Sequence, residues 1–219
     1  TTMVKILRSF GLRVLNGDGT IRVEPRGYNQ CIAPYKLVST MRASICVLGP
    51  LLAKKGFAQV SLPGGCVIGP RPIDLHIKGI KALGADVSIG GGYVYARAKR
   101  LHGNKVYLGG AFGSSVLATA NVMMAATLAR GTTIIENAAC EPEVVDLADF
   151  LVKMGAKIKG QKTHVIEIQG VKRLSGAEHT VIPDRIETGT FMVAAVMTNG
   201  DIEIKGAIPD HVGAVVDKL

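Results

Sequence analysis

A glycine-rich segment carries a thiol, a guanidinium, a carboxylate and an imidazole in close succession. It begins at Pro63, ends at His76 and reads PGGCVIGPRPIDLH. Glycines on both sides of Cys66 leave the backbone free to move and to approach a ligand closely. Arg71 could bind a phosphate through its planar guanidinium and could lower the pKa of a thiol brought near it. The segment is therefore predicted to be a lid that carries a reactive cysteine.

The competing interpretation treats Cys66 as a packing residue, because lone cysteines mostly behave as small buried hydrophobes. Its glycine and proline neighbours and the lack of a local apolar period favour the reactive role. Cys46 lies in the apolar helical run 45–52, and neither Cys31 nor Cys140 has a comparable loop around it. These three cysteines are predicted to be packing residues.

The composition predicts one or two globular domains. The chain has 219 residues, of which 47% are hydrophobic and 20% charged, which is enough for a substantial core. Four cysteines without CxxC pairs or close Cys/His spacing indicate neither a zinc site nor a disulfide framework, so a cytoplasmic location is expected. No apolar run approaches the length of a membrane span and the first residues lack a signal-peptide core, so we expect a soluble protein.

The formal net charge of +9 indicates an anionic partner, although the basic residues are scattered along the chain. Only five tyrosines and five phenylalanines, and no tryptophan, are available to stack on bases. A basic balance alone is weak evidence for nucleic-acid binding. Small phosphorylated ligands satisfy the same charge, and no nucleic-acid partner is expected.

A repeated unit organises the chain. Amphipathic helices that end in glycine recur at intervals of about 70 residues, around 6–12, 80–86 and 151–157. A second helix follows in each copy, predicted over residues 37–52, 116–129 and 188–198. Each second helix is followed by a strand, predicted over residues 58–61, 132–136 and 201–205. Hairpins are predicted between the helices, pairing 86–89 with 93–98 and 157–159 with 165–169.

The second helix of the middle copy, 116–129, has almost no charged face, which is typical of a helix buried on all sides. Helices are therefore predicted at the centre with sheets outside them, the opposite of a TIM barrel. The first copy starts inside its helix and the last stops inside another, at 212–219. This pattern predicts a piece of a longer chain, whose apolar edges could pair with a second copy as a dimer.

The cysteine loop and three further segments together resemble a known family. The further segments are TMRAS at 40–44, IIENAACEPE at 134–143 and PDRIETGTF at 183–191. Over essentially the whole chain, the combination resembles the UDP-N-acetylglucosamine 1-carboxyvinyltransferases, which are enolpyruvyl transferases. The resemblance implies an α/β fold of the inside-out α/β barrel type, with repeated helix–strand units, buried helices and outer sheets.

The resemblance also implies a division into domains. Residues 1–182 would form most of the barrel domain that carries the cysteine loop, with its first repeat incomplete. Residues 183–219 would begin a second, truncated α/β domain.

The implied reaction transfers the enolpyruvyl group of phosphoenolpyruvate to the 3-hydroxyl of UDP-N-acetylglucosamine and releases phosphate. It proceeds by addition and elimination and is the first committed step of peptidoglycan biosynthesis. The resemblance implies neither a cofactor nor a metal. The 219-residue chain by itself is expected not to turn over.

Three residues match catalytic positions of the family. Cys66 matches the loop cysteine, which can form a covalent adduct with phosphoenolpyruvate and is the target of the inhibitor fosfomycin. Arg71 matches a residue that holds phosphate and carboxylate charge as the lid closes, and Arg42 matches another arginine of the cleft.

The remaining matches are substrate-binding positions: Pro72, Asp74, Leu75, His76, Ser115, Val116 and Arg185. In the family, the first four belong to the segment that cradles the uridine, where a carboxylate accepts a hydrogen bond and an imidazole covers the ring. Considered alone, Asp74 would instead be a helix cap and His76 a solvated surface histidine. Ser115 and Val116 match a helix start that contacts the nucleotide through its free N–H groups.

Two departures concern diphosphate binding, because Gly113 and Leu117 stand where many members have a lysine or proline and a glycine. Two other interpretations remain open. One is a 5-enolpyruvylshikimate-3-phosphate synthase-like transferase, a group that lacks this cysteine loop. The other is a noncatalytic nucleotide-binding or scaffold fragment.

Overall fold

The computed structural model describes residues 1–17, 19–25, 29–64, 72–111 and 113–219. These residues form two compact units, Thr1–Ala177 and Glu178–Leu219. The sequence interpretation put a domain boundary after residue 182, and the assignment of 1–182 and 183–219 to two domains stays a prediction.

The first unit alternates helices with short strands. Its helices are α1 (Thr2–Ser9), α2 (Tyr35–Val38), α3 (Leu48–Lys55), α4 (Asp74–Ala82), α5 (Val116–Ala126) and α6 (Pro142–Lys153), with a 3₁₀ helix over Arg42–Val47. Its strands are β1 (Arg13–Gly17), β2 (Thr20–Glu24), β3 (Ile32–Ala33), β4 (Phe57–Ser61), β5 (Asp86–Gly90), β6 (Tyr93–Arg97), β7 (Lys105–Tyr107), β8 (Gly109–Gly110), β9 (Gly113–Ser114), β10 (Thr132–Glu136), β11 (Lys157–Lys159) and β12 (Val165–Gln169).

The described strands pair in separate open sheets, and they do not close into a barrel. One four-stranded sheet has the order β3-β4-β6-β5 and the other has the order β11-β12-β10-β7, while β1-β2 and β8-β9 are two-stranded. The predicted hairpins are confirmed as the antiparallel pairs β5-β6 and β11-β12. Strand alternation sets the register, since Val94 and Ala96 on β6 are buried and their neighbours are not.

The glycine-ended helices are confirmed. Gly11, Gly84 and Gly155 follow α1, α4 and α6 with φ of 89°, 87° and 97°. Residues with a Cβ are disfavoured in this left-handed region, so glycine can end the helix and turn the chain towards the next strand. The repeat seen in the sequence is thus a repeat of helix endings.

Helix α5 is buried at the centre of the first unit, as its apolar sequence predicts. It packs against α3, α4 and α6, which in turn lie against strands of the two larger sheets. Met123 on α5 is fully buried in the hydrophobic core. The helices are therefore inside and the sheets outside in the described part of this unit.

The predicted continuous helix over 37–52 is wrong. The chain instead forms α2, the 3₁₀ helix and α3, with Met41 in an extended conformation between the first two. Thr40 Oγ1 donates a 2.8 Å hydrogen bond to Leu37 O, a local bond that competes with helix continuation. Pro50 has no N–H to donate to the preceding turn, so it fits only near the start of α3.

The second unit contains α7 (Arg185–Met197), a 3₁₀ helix over Pro209–His211 and α8 (Gly213–Val216). Helix α7 begins before the predicted residue 188 because Asp184 caps it, accepting hydrogen bonds from the N–H groups of Ile186 and Glu187 at 2.8 and 3.1 Å. The predicted strand over 201–205 is wrong. This unit, which is described throughout, contains no strand with which that segment could pair.

Among the described helices, none is long and apolar enough to cross a membrane.

Candidate functional site

The candidate site lies where α4 begins. Pro72 and Asp74 are exposed, whereas Leu75 and His76 are buried. Ile73 occupies the cap position of α4 and has no polar side-chain atom with which to cap the helix. The interpretation of Asp74 as the cap residue is therefore wrong: Asp74 is the first helical residue, where its negative charge is favoured by the helix dipole.

Cys66 and Arg71, the two catalytic candidates of the loop before α4, lie outside the described residues. Their predicted roles stay predictions.

His76 is not a solvated surface histidine, because only 3% of it is exposed. Its Nδ1 lies 3.0 Å from Nδ2 of Asn121 on α5. The pKa of His76 is lowered from 6.5 to about 4, mainly by burial and also by the nearby Arg42 charge, while the Asp74 charge opposes the shift. The imidazole is therefore neutral at physiological pH.

Arg42 lies beside the start of α4. It is the first residue of the 3₁₀ helix and is half-buried. Its Nη2 donates a 3.4 Å hydrogen bond to Pro72 O, so the guanidinium is held next to the segment that carries Asp74. A fixed positive charge there suits an anionic ligand.

A second helix start belongs to the same region. Ser115 caps α5 and its Oγ accepts a 3.3 Å hydrogen bond from the Ala118 N–H. The β8-β9 hairpin leads directly into Ser115 and also approaches α4, since a methyl group on Gly110 would lie 3.5 Å from Leu75 Cδ1. The N–H groups of the first turn of α5, which begins at Val116, point outwards, an arrangement that attracts phosphate.

The structure thus brings together most of the sequence-predicted site residues in the first unit. They are Arg42, Pro72, Asp74, Leu75, His76, Ser115 and Val116. Arg185 is in the second unit, where it is half-buried and is the first residue of α7.

Sequence reasoning missed Asn121, which is fully buried and joins α5 to α4 and to the 3₁₀–α3 segment. A signal was present, because Asn121 is the lone amide in a helix without charged residues. A buried amide needs hydrogen-bond partners, so an asparagine in this helix predicts polar partners on the neighbouring helices.

Cys31, Cys46 and Cys140, which were predicted to be packing residues, are all partly buried. Burial raises the pKa of the Cys46 thiol to about 11, which fits a packing role. Cys140 is half-buried with its Sγ 3.5 Å from His164 Nδ1, so packing alone does not describe it. Burial and the Glu141 charge raise the pKa of the Cys140 thiol. Within the described ranges, no group of three or more His, Cys, Asp or Glu side chains is arranged to hold a metal ion.

Comparisons with known proteins agree on one family. The sequence model of the EPSP synthase (3-phosphoshikimate 1-carboxyvinyltransferase) family matches residues 1–219. The chain is 58% identical over 219 residues to UDP-N-acetylglucosamine 1-carboxyvinyltransferase 1 of Caldanaerobacter subterraneus subsp. tengcongensis, covering 99% of this chain and 51% of that protein. It is 56% identical over 217 residues to UDP-N-acetylglucosamine 1-carboxyvinyltransferase of Methylacidiphilum infernorum, with the same coverage of 99% and 51%. The chain spans about half the length of the curated relatives it matches.

Solved structures agree on the fold. The enolpyruvyl transferase NikO from Streptomyces tendae matches with a TM-score of 0.72 at 21% identity, covering 89% of this chain and 46% of that chain. The EPSP synthase from Acinetobacter baumannii matches with a TM-score of 0.66 at 18% identity, covering 89% and 44%. At these identities the likeness concerns the fold alone, but the family model extends over every residue of this sequence. The chain belongs to the EPSP synthase (3-phosphoshikimate 1-carboxyvinyltransferase) family.

Proposed function

We propose that this chain supplies the cysteine loop and the nucleotide-sugar subsite of an enzyme that transfers the enolpyruvyl group of phosphoenolpyruvate to the 3-hydroxyl of UDP-N-acetylglucosamine. Phosphate is released, and the product enters peptidoglycan biosynthesis in the cytoplasm. The family model alone also allows a shikimate 3-phosphate acceptor. The observation that carries the choice of acceptor is the identity of 58% and 56% to relatives named for the UDP-sugar reaction.

The two helix starts support a nucleotide-sugar site. The α4 start has no side-chain cap, and the α5 start is capped only through Ser115 and Ala118 among the described contacts. Backbone N–H groups at such ends need acceptors, and a diphosphate supplies them. Asp74 is exposed at the first position of α4, where its carboxylate can accept a hydrogen bond from a uracil N–H or a ribose hydroxyl.

The phosphoenolpyruvate half is assigned to the arginines and the loop cysteine. Arg42 and Arg71 would hold phosphate and carboxylate charge. The substrate-binding role of Arg185 stays a prediction. Cys66 would stand next to the alkene, where an acid protonates the terminal carbon and makes the adjacent carbon electrophilic. The sugar hydroxyl then adds to that carbon and gives its proton to a base. In the elimination step the new methyl group loses a proton as phosphate leaves, which restores the alkene.

The finer architecture belongs to the same proposal. We infer that the helix–strand repeats form an inside-out α/β barrel in which α5 is the central helix of its copy. The burial of α5 between α3, α4 and α6 supports this arrangement. Gly113 and Leu117 flank the α5 start, so this chain would contact the diphosphate mainly through backbone N–H groups.

Fosfomycin labelling tests the loop assignment. The chain is incubated with fosfomycin and UDP-N-acetylglucosamine, digested and mapped by mass spectrometry, with Cys66→Ser as the control. We expect an adduct on Cys66 and none on Cys46 or Cys140, because burial raises the pKa of the Cys46 thiol to about 11 and the pKa of Cys140 is raised as well. An adduct that persists in Cys66→Ser would refute the role of Cys66.

A further inference from the structure

Beyond the matched family positions, Asn121 is tied by hydrogen bonds to three separate segments. We propose that Asn121 is a positioning residue that fixes His76 as the neutral tautomer protonated on Nε2, and thereby holds the start of α4 in place for the nucleotide. The positioning effect on binding rests on the proposed function. The tautomer does not.

The orientation of the Asn121 amide is determined by two backbone contacts. Its Oδ1 accepts a 2.6 Å hydrogen bond from the Gly49 N–H, and its Nδ2 donates a 3.1 Å hydrogen bond to Ile45 O. Exchanging oxygen and nitrogen would place two donors together at Gly49 and two acceptors together at Ile45. The amide therefore has one orientation.

This orientation determines the tautomer of His76. The second hydrogen of Nδ2 points to His76 Nδ1 at 3.0 Å, so Nδ1 must be an acceptor and the ring proton is on Nε2. A protonated ring would direct its Nδ1–H against the Nδ2–H of Asn121. The geometry thus excludes the imidazolium while the contact is intact.

The two charges near His76 act in opposite directions, because Arg42 disfavours the imidazolium and Asp74 favours it, so burial decides for the neutral ring. Arg42 on the 3₁₀ helix and Asp74 on α4 are the charges that act on it. Helix α5 presents the Asn121 amide and α3 presents the Gly49 N–H, and neither of these groups titrates. A neutral His76 contributes no positive charge to the site, so the charge of an anionic ligand must be met by the arginines and the helix starts.

The contact also explains how α4 is held. His76 is two residues after Asp74, in the first turn of the helix. Its ring is anchored to α5, and through the same amide to the backbone of the 3₁₀–α3 segment that carries Arg42. Loss of the Nδ2 donor would release the turn that carries Asp74.

Nitrogen-15 NMR of the histidine side chains tests the tautomer in the unaltered chain. We expect His76 to show the neutral Nε2–H pattern from about pH 5 to 8, and His76→Gln identifies its signals among the five histidines. An Nδ1–H tautomer or an imidazolium at neutral pH would overturn the proposal. This measurement requires neither a ligand nor a variant of Asn121.

Asn121→Asp tests the positioning effect, because it keeps the size and the Gly49 contact but replaces the donor with a carboxylate oxygen. We expect His76 to become an imidazolium at neutral pH and the affinity for UDP-N-acetylglucosamine to fall about tenfold or more. The matched control is Asn104→Asp, an exposed amide-to-acid change on the loop before β7, which should leave both readouts unchanged.

The outcomes separate the two proposals. A folded Asn121→Asp variant that binds like the parent would overturn the positioning role. If Asn121→Asp does not fold, the NMR spectrum of the parent still decides the tautomer, on which the positioning role depends. A parent chain that shows the Nε2–H tautomer but does not bind UDP-N-acetylglucosamine would sink the proposed function and leave the tautomer established.

Discussion

The backbone of Gly49 on α3 lies directly against Asn121 on α5. The Gly49 N–H donates a 2.6 Å hydrogen bond to Asn121 Oδ1, and a Cβ at residue 49 would collide with the Asn121 carbonyl oxygen. The two helices can approach this closely only because residue 49 has no side chain. The same Asn121 amide also contacts His76, so the packing of α3 on α5 and the candidate site share this residue.

Gly49→Ala should therefore destabilise the first unit. The added methyl group meets backbone atoms, which cannot rotate away, so we expect the free energy of unfolding to fall by about 1–3 kcal/mol or more. Urea denaturation followed by circular dichroism measures this. Gly90→Ala is the control, because a Cβ there has no neighbour within 4 Å. Equal stability of the Gly49→Ala and Gly90→Ala variants would contradict the described packing.

Because Gly79 lies against Val122, substitutions at these two positions should have non-additive effects on the free energy of unfolding. A Cβ on Gly79 of α4 would collide with Val122 Cγ2 on α5, so Gly79→Ala should cost about 1–3 kcal/mol of unfolding free energy. Val122→Ala removes the methyl groups that would collide and creates a small cavity. In the double variant the two costs should not add, because the new methyl group fills that cavity. Strict additivity in a denaturation double-mutant cycle would show that the two helices do not touch there.

Because His76 is buried, we expect the free energy of unfolding to fall at acidic pH. Its pKa is about 4 in the folded chain against an ordinary value of 6.5, so between these values the unfolded chain binds more protons. Stability therefore rises with pH across this window and is lost as the pH falls from about 6.5 to about 4, by up to about 3 kcal/mol.

His76→Gln isolates this contribution from other titrating groups. The difference in unfolding free energy between parent and variant, measured by urea denaturation at several pH values, should shrink as the pH falls. A difference that stays constant from neutral to acidic pH would mean that His76 is not held neutral by burial.

Substitutions of Ser115 should change the affinity for the ligand without changing the free energy of unfolding. Asparagine and aspartate are both good caps, so Ser115→Asn and Ser115→Asp should each keep the unfolding free energy within about 0.5 kcal/mol of the parent. Ser115→Asp also places a negative charge at the α5 start, where we propose the diphosphate lies, and should weaken UDP-N-acetylglucosamine binding about tenfold. Calorimetric titration of both variants checks this. Equal affinity of the two would exclude the diphosphate from the α5 start.

The features that were predictable from the sequence are local ones. The hairpins β5-β6 and β11-β12 follow from alternation and turn residues, and the burial of α5 follows from its lack of charge. The prediction of a continuous helix over 37–52 was wrong because the apolar period does not show the local effects of Pro50, which lacks an N–H, and of the Thr40 hydroxyl, which bonds to Leu37 O. The prediction of a strand over 201–205 was wrong because a strand needs a partner strand, which its own sequence does not provide.

The candidate site was predictable in part, through the matched positions around Asp74 and Ser115. The pairing of His76 with Asn121 was not, because it joins residues 45 apart in the chain through the packing of α4 on α5. Sequence spacing does not show which buried polar groups will face each other.

We propose that the chain binds a UDP-sugar for enolpyruvyl transfer. The most direct test is calorimetric titration of the 219-residue chain, first with UDP-N-acetylglucosamine and then, separately, with shikimate 3-phosphate. We expect saturable one-to-one binding of UDP-N-acetylglucosamine and no heat of binding with shikimate 3-phosphate. A chain that does not bind UDP-N-acetylglucosamine, whether or not it binds shikimate 3-phosphate, would contradict the proposal.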